Sequence, residues 1–251
     1  MIYTMSGTEA LAKRHVISSP GTGIKHWATN FFGPRSSISA APGPQATMTE
    51  MTPNETIIPH FHGMTQFQLF PAGAGAIGKK EEPILPLTVQ YKDRHTAYGP
   101  LVAGPQGLSF MALRIKTGDS APVYLDKPGY REKLKPGKRR NWIAPPVVLS
   151  TEPVMQYRET VSWEPLFDAS KIDDEMAAHV VRLGANMSTM APDPALSGGY
   201  YLFVANGSML KAGAELPLWS MVVAESTEAA LEIQAGAKGL EVLVLQYPRE
   251  D

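Results

Sequence analysis

The chain has 251 residues, 19% of them charged, with a formal net charge of −1 and no cysteine. The lack of cysteine excludes disulfides, Fe–S clusters, thiolate metal sites and thiol nucleophiles. The near-neutral balance gives no general attraction for nucleic acid or an anionic membrane, and no apolar run approaches the ~20 residues of a membrane span.

The opening segment MIYTMSGTEALAKRH has no apolar signal core, so a cytoplasmic protein is expected. Residues 1–40 read as a leader that wraps a first barrel with Trp27, Phe31 and Phe32. Residues 41–117 form that barrel. Within it the stretch 59–70, flanked by "ETIIP" and "FQLF", predicts a β-strand carrying His60 and His62. Side chains alternate along a strand, so both imidazoles point to one side and can hold one metal ion. A His-x-His pair can equally be a surface pair or two hydrogen-bonded core histidines. By the same parity Met64, Gln66 and Gln68 share the histidine face, while Phe61 and Phe67 face the other way.

Residues 118–146 hold the cluster "REKLKPGKRR" and read as an exposed basic connector, and 147–251 form a second barrel. Strong helical periodicity is confined to short segments such as "DDEMAAHVVRLG". His15, His26 and His179 stand in polar or helical surroundings and read as surface residues.

An internal repeat supports the two-barrel division. "QLFPAGAGAIG" from Gln68 is echoed by "YLFVANGSMLKAG" from Tyr201, and "AGPQGLSFMAL" from Ala103 by "AGAKGLEVLVL" from Ala235. The near-constant offset makes each pair a strand, a glycine turn and a closing strand of a small barrel. Carrying the offset over from His60, His62 and His95 reaches no histidine, so the second copy is expected to lack a metal site.

His60 and His62 followed by Gln66 and Gly73 at these intervals resemble the first motif of the cupin family, with Gln66 in place of its acid and Asn54 in place of its opening glycine. The resemblance implies an all-β protein of two tandem double-stranded β-helix (jelly-roll) barrels, a bicupin, whose metal motif survives only in the first. It also implies a third ligand from a later strand, where His95 stands, accompanied by Tyr91 and Asp93.

Imidazoles without thiolates suit one divalent transition metal, Fe(II), Zn, Mn, Ni or Cu, and the resemblance favours Fe(II). Three neutral histidines leave the ion's charge uncompensated and favour a small anionic substrate. Gln66 would be a neutral ligand or positioning group without general-base capacity, Tyr91 an acid or orienting hydroxyl, and Met64 and Gln68 substrate contacts. The implied function is a metal-dependent dioxygenase-type oxidoreductase acting on a small aromatic or enolic, carboxylated substrate. The alternatives are a non-catalytic small-molecule-binding or sensing cupin and a metal-dependent lyase or isomerase. The second copy could shape the fold, a pocket wall or the surface of a homodimer.

Overall fold

The computed structural model describes residues 1–18, 23–34, 43–118 and 120–249. The chain forms two units, Lys13–Val147 and Met1–Ala12 together with Val148–Asp251. Both are β-structures, and the α-helices, Gly7–Leu11 and Glu152–Gln156, have five residues each. Among the described residues no helix is long and apolar enough to cross a membrane.

The main sheet of the first unit runs Asn141–Ile143, Thr88–Lys92, Gln66–Ile77, Leu101–Arg114, Gln45–Met51, Lys25–Phe32 and His15–Ser18, every neighbour antiparallel. That of the second unit runs Ile2–Met5, Met221–Ala224, Tyr200–Lys211, Glu232–Gln246, Ala177–Leu183 and Ser162–Pro165, also antiparallel. Six positions therefore correspond strand for strand, and the repeat read from the glycine turns is a repeat of topology.

The long central hairpins show why glycine recurs. Gly73 sits opposite Leu108 with φ 77°, and a Cβ there would lie 2.5 Å from the Gly107 carbonyl oxygen. Gly207 sits opposite Leu240 with φ 69°, and a Cβ there would lie 2.1 Å from the Gly239 carbonyl oxygen. Both the left-handed backbone and the backbone approach exclude a side chain. Gly207→Ala is expected to cost about 2 kcal/mol or more. Gly213→Ala, at φ 79° with nothing within 4 Å, should cost only the conformational part, about 1 kcal/mol. Urea denaturation of both variants checks this, and equal losses would contradict the clash.

Two expectations about the chain's course need correction. Residues 1–40 are not a leader around the first barrel: Ile2–Met5 is a strand of the second unit, in register from Ile2 opposite Ala224 to Met5 opposite Met221. His15–Ser18 and Lys25–Phe32 instead extend the first sheet. The physical reason is local, since IYTM, HVIS and KHWATNFF are rich in β-branched and aromatic residues and find open strand edges with unpaired backbone groups. The expected boundary between residues 40 and 41 lies outside the described residues. Residues 118–146 are likewise more than a connector. Val123–Tyr124 pairs with His60–Phe61, and Asn141–Ile143 pairs with Gln90–Lys92, so this stretch supplies two strands to the first unit.

The second barrel closes on apolar side chains. Val181, Leu202, Val204, Val222, Val242 and Val244 form one buried cluster with exposures of 0–1%. The first barrel keeps space inside.

Candidate functional site

A cavity of about 510 Å³ opens in the first unit, within the size range of small-molecule sites. One region is polar, lined by His60, His62, Gln66, Gln68, Tyr98 and Arg114; another is apolar, with Ile17, Ile57, Leu101 and Phe110.

Local structure explains the placing. The strand expected over 59–70 is interrupted: His60–Phe61 is one short strand, Gly63 lies in a bend, and Gln66 opens the next strand. Parity holds on each side of the break, so His60 with His62 and Gln66 with Gln68 all reach the cavity. Only within the break does it lapse, and Met64, in the bend, lies instead beside Gly118, its sulfur 3.0 Å from where a Cβ of that glycine would stand.

Hydrogen bonds fix both imidazole tautomers. His60 Nδ1 donates to the Ile58 carbonyl at 2.8 Å and His62 Nδ1 to the Ser120 carbonyl at 2.7 Å. A carbonyl only accepts, so each proton is on Nδ1 and each lone pair on Nε2. From there a directed ring of bonds runs through the polar region. Arg114 donates to Gln66 Oε1 at 2.5 Å, Gln66 Nε2 to the Tyr98 hydroxyl at 3.4 Å, and that hydroxyl to His62 Nε2 at 3.2 Å. Arg114 also donates to Gln45 Oε1 at 2.6 Å, and Gln45 Nε2 to Ser120 Oγ at 3.2 Å, which returns to the residue that holds His62. Lys92 stands directly opposite Gln66 in the sheet; its Nζ donates to Gln68 Oε1 at 2.5 Å and lies 3.1 Å from the centre of the Tyr98 ring.

The electrostatics follow from burial. Desolvation pushes the His60 imidazole down to about 4, with Lys92 and Arg114 adding to it against the opposing bond to Ile58. Burial, then Arg114, His60 and Lys92, holds His62 well below its ordinary value. Burial and Arg114 hold the Lys92 ammonium well below the usual lysine range, and burial raises the Tyr98 phenol. At neutral pH both imidazoles are therefore neutral and Tyr98 keeps its proton.

The sequence brings His60, His62, Gln66 and Gln68 together, and three of its other candidates elsewhere. His95 lies past the end of Thr88–Lys92, in a left-handed turn at φ 58°, so strand parity no longer governs it. Its ring packs on Phe61, which faces away from the cavity, with centroids 5.8 Å apart. What His95 contributes is its backbone N–H, donated to the His62 carbonyl at 2.7 Å. Tyr91 stands opposite Phe67, its hydroxyl donating to Asp93 at 2.7 Å, and Asp93 in turn pairs with Arg140 at 2.9 Å. The adjacent Lys92 therefore takes the inward position, because neighbouring strand residues face opposite ways. Met64 does not line the cavity. His26 is not a surface residue: it is 4% exposed and lines the cavity.

The residues present do not fit the three-histidine transition-metal centre. Among the described residues no three His, Asp or Glu side chains gather to hold an ion. The Nε2 lone pair of His62 already accepts from Tyr98, and the Gln66 carbonyl from Arg114. The buried Arg114 guanidinium, which lines the same polar region, repels a dication.

The register shows that this polar set belongs to the first barrel alone. Gln45, Gln66, Lys92 and Arg114 correspond to Ala177, Tyr200, Ala224 and Gln246 in the second, where Tyr200 pairs with both Ala224 and Gln246.

No family model matches the chain. No curated protein matches it either. Solved structures do, at low identity. The pirin YhhW of Escherichia coli in complex with nickel(II) is 11% identical with a TM-score of 0.58, each chain covered in full (100%). Salicylate 1,2-dioxygenase from Pseudaminobacter salicylatoxidans is 13% identical with a TM-score of 0.56, over 98% of this chain and 84% of that one. The oxalate decarboxylase of Bacillus subtilis, described with Mn(II) centres, is 10% identical with a TM-score of 0.55, over 100% of this chain and 78% of that one. With barrels that match each other strand for strand and neighbours of this kind along its whole length, the chain is a two-barrel protein of the cupin fold.

Proposed function

We propose that the first barrel binds a small organic anion, an aromatic or enolic carboxylate, and holds it with protein side chains. One observation carries this reading: Arg114 is buried in the polar region of the cavity, its guanidinium aimed by Gln45 and Gln66. A guanidinium whose orientation is already fixed loses little freedom when a carboxylate arrives. His60 complements it, since its neutral Nε2 can accept a hydrogen bond from a ligand hydroxyl next to the carboxylate. The apolar wall covers the ring or chain. Calorimetric titration with salicylate, and with benzyl alcohol as a neutral molecule of similar size, tests this. The acid should bind and the alcohol should not, and equal affinity would overturn the reading.

The metal-dependent dioxygenase reading has its own support. His60 and His62 both give Nδ1 to backbone carbonyls, the arrangement that turns Nε2 toward an ion, and salicylate dioxygenase shares the fold. Elemental analysis of protein grown with iron, zinc and nickel separates the two readings. Binding by side chains predicts far less than one equivalent. One tightly held equivalent that is lost in His60→Ala and kept in His95→Ala would restore the metal.

A further inference from the structure

The second barrel has a smaller cavity of its own, about 330 Å³, outside its apolar cluster. Gln246, His179 and Ala177 line it, with Phe167 and Ile172 as an apolar wall. Gln246 is 7% exposed, and its Nε2 donates to the Glu175 backbone carbonyl at 2.5 Å. A carbonyl only accepts, so this bond fixes which end of the amide is the oxygen. That oxygen, Oε1, is buried and accepts no hydrogen bond among the described residues. His179 Nδ1 is buried and unpartnered in the same way.

The register brings these two groups to one place. Gln246 stands opposite Ala177, and His179 follows Ala177 on the same face, so Gln246 and His179 are diagonal neighbours with about 7–8 Å between them. Ala177 is small and leaves the space between them open. Expected at the surface, His179 instead shares the face of Val181 in the apolar cluster, and its ring meets Trp163 edge-on at 5.7 Å. Burial holds its imidazole below the ordinary value, so at neutral pH it is uncharged and has one lone pair. A buried acceptor without a donor is a cost that a bound donor removes. Asp173 and Glu175, both exposed, also line the cavity and add negative charge. A neutral hydroxyl would satisfy one acceptor but gain nothing from the carboxylates.

We infer that this cavity binds a small primary ammonium with an apolar substituent, whose N–H groups donate to Gln246 Oε1 and to the His179 lone pair. Glu175 supplies the opposite charge, and Phe167 and Ile172 cover the substituent. This site is independent of the anion site. Gln246 holds the register position of Arg114 and puts a neutral acceptor where the first barrel has a cation, so the two barrels take ligands of opposite charge.

Calorimetry on the full chain at neutral pH compares benzylammonium with benzyl alcohol, and NMR of protein labelled at the methionine methyls locates the ligand. Benzylammonium should bind about tenfold or more tightly than the alcohol, the effect of a charge-assisted hydrogen bond. It should shift the methyl of Met176, which lines the cavity, and leave those of Met48 and Met111 in the first barrel unmoved. Gln246→Met should weaken benzylammonium about tenfold, and Glu175→Gln, at an exposed position, about threefold. His179→Phe keeps a ring against Trp163 but removes the lone pair, and should also weaken binding about tenfold; it carries the test if Gln246→Met fails to fold, which thermal denaturation checks. If water alone meets the two buried groups, neither probe binds at millimolar concentration, and that result overturns the inference. Equal affinities for amine and alcohol, an unmoved Met176 methyl, or wild-type affinity in either folded variant, Gln246→Met or His179→Phe, overturn it as well.

Discussion

Replacing Arg114 with glutamine is expected to reduce salicylate affinity about 10- to 100-fold, the effect of removing a buried charge-assisted contact. The glutamine amide can still donate to Gln66 or Gln45, so the polar ring stays bonded and the fold is kept, which separates lost binding from lost structure. Arg114→Lys should recover only part of the affinity, because an ammonium keeps the charge but cannot span Gln45, Gln66 and the ligand with a planar fork. Calorimetry gives the affinities, and thermal denaturation of each variant checks the fold. Wild-type affinity in Arg114→Gln would place the anion elsewhere. Lys92→Met complements this: it removes the buried amine but leaves the guanidinium, and a smaller loss is expected because Lys92 is already bonded to Gln68 and covered by Tyr98.

The sequence made half of this cavity legible, and the divide has a physical cause. His60, His62, Gln66 and Gln68 were found because they are near in sequence and strand parity is a local rule. Gly107 and Gly239, within the matched Ala-Gly segments, helped to reveal the repeat because a glycine demanded by backbone contact leaves a residue that no packing change can replace, whereas the correspondence of Gly73 with Gly207 is fixed only by the strand register. Arg114 lies 48 residues from Gln66 and Tyr98 lies 36 from His62, and these meet only because of the order in which strands pair. The one sign of Arg114 in the sequence was a charge two residues on from Ala112 and four from Phe110, on the inward face of an apolar strand. Tyr91 was chosen over Lys92 by counting back from His95, a residue that stands beyond the strand in a left-handed turn, and a count begun one residue out of phase inverts every face. The course of the termini was hidden for the same reason. Ile2–Met5 pairs with residues more than 200 positions away, and nothing in IYTM names its partner.

The neutrality of the buried imidazoles makes the first unit sensitive to acid. In the unfolded chain His60 takes a proton near 6.5, whereas in the folded cavity burial holds it neutral down to about 4. Between those values the unfolded state binds a proton that the folded state lacks, so stability rises with pH across this window and falls as pH drops through it. His60 alone accounts for about 3 kcal/mol of that loss by the lower end, a large share of a typical domain's 5–15 kcal/mol. His62 acts in the same direction, with burial and Arg114 both opposing its protonation. The expected result is a fall in the urea midpoint of wild type from pH 7 to pH 4.5. In His60→Gln, an amide can still donate to the Ile58 carbonyl but cannot titrate. That variant should start from a lower stability at pH 7 and lose about 2 kcal/mol less than wild type over the same range. Parallel pH profiles for the two proteins would mean that His60 is not the residue whose protonation opens the cavity.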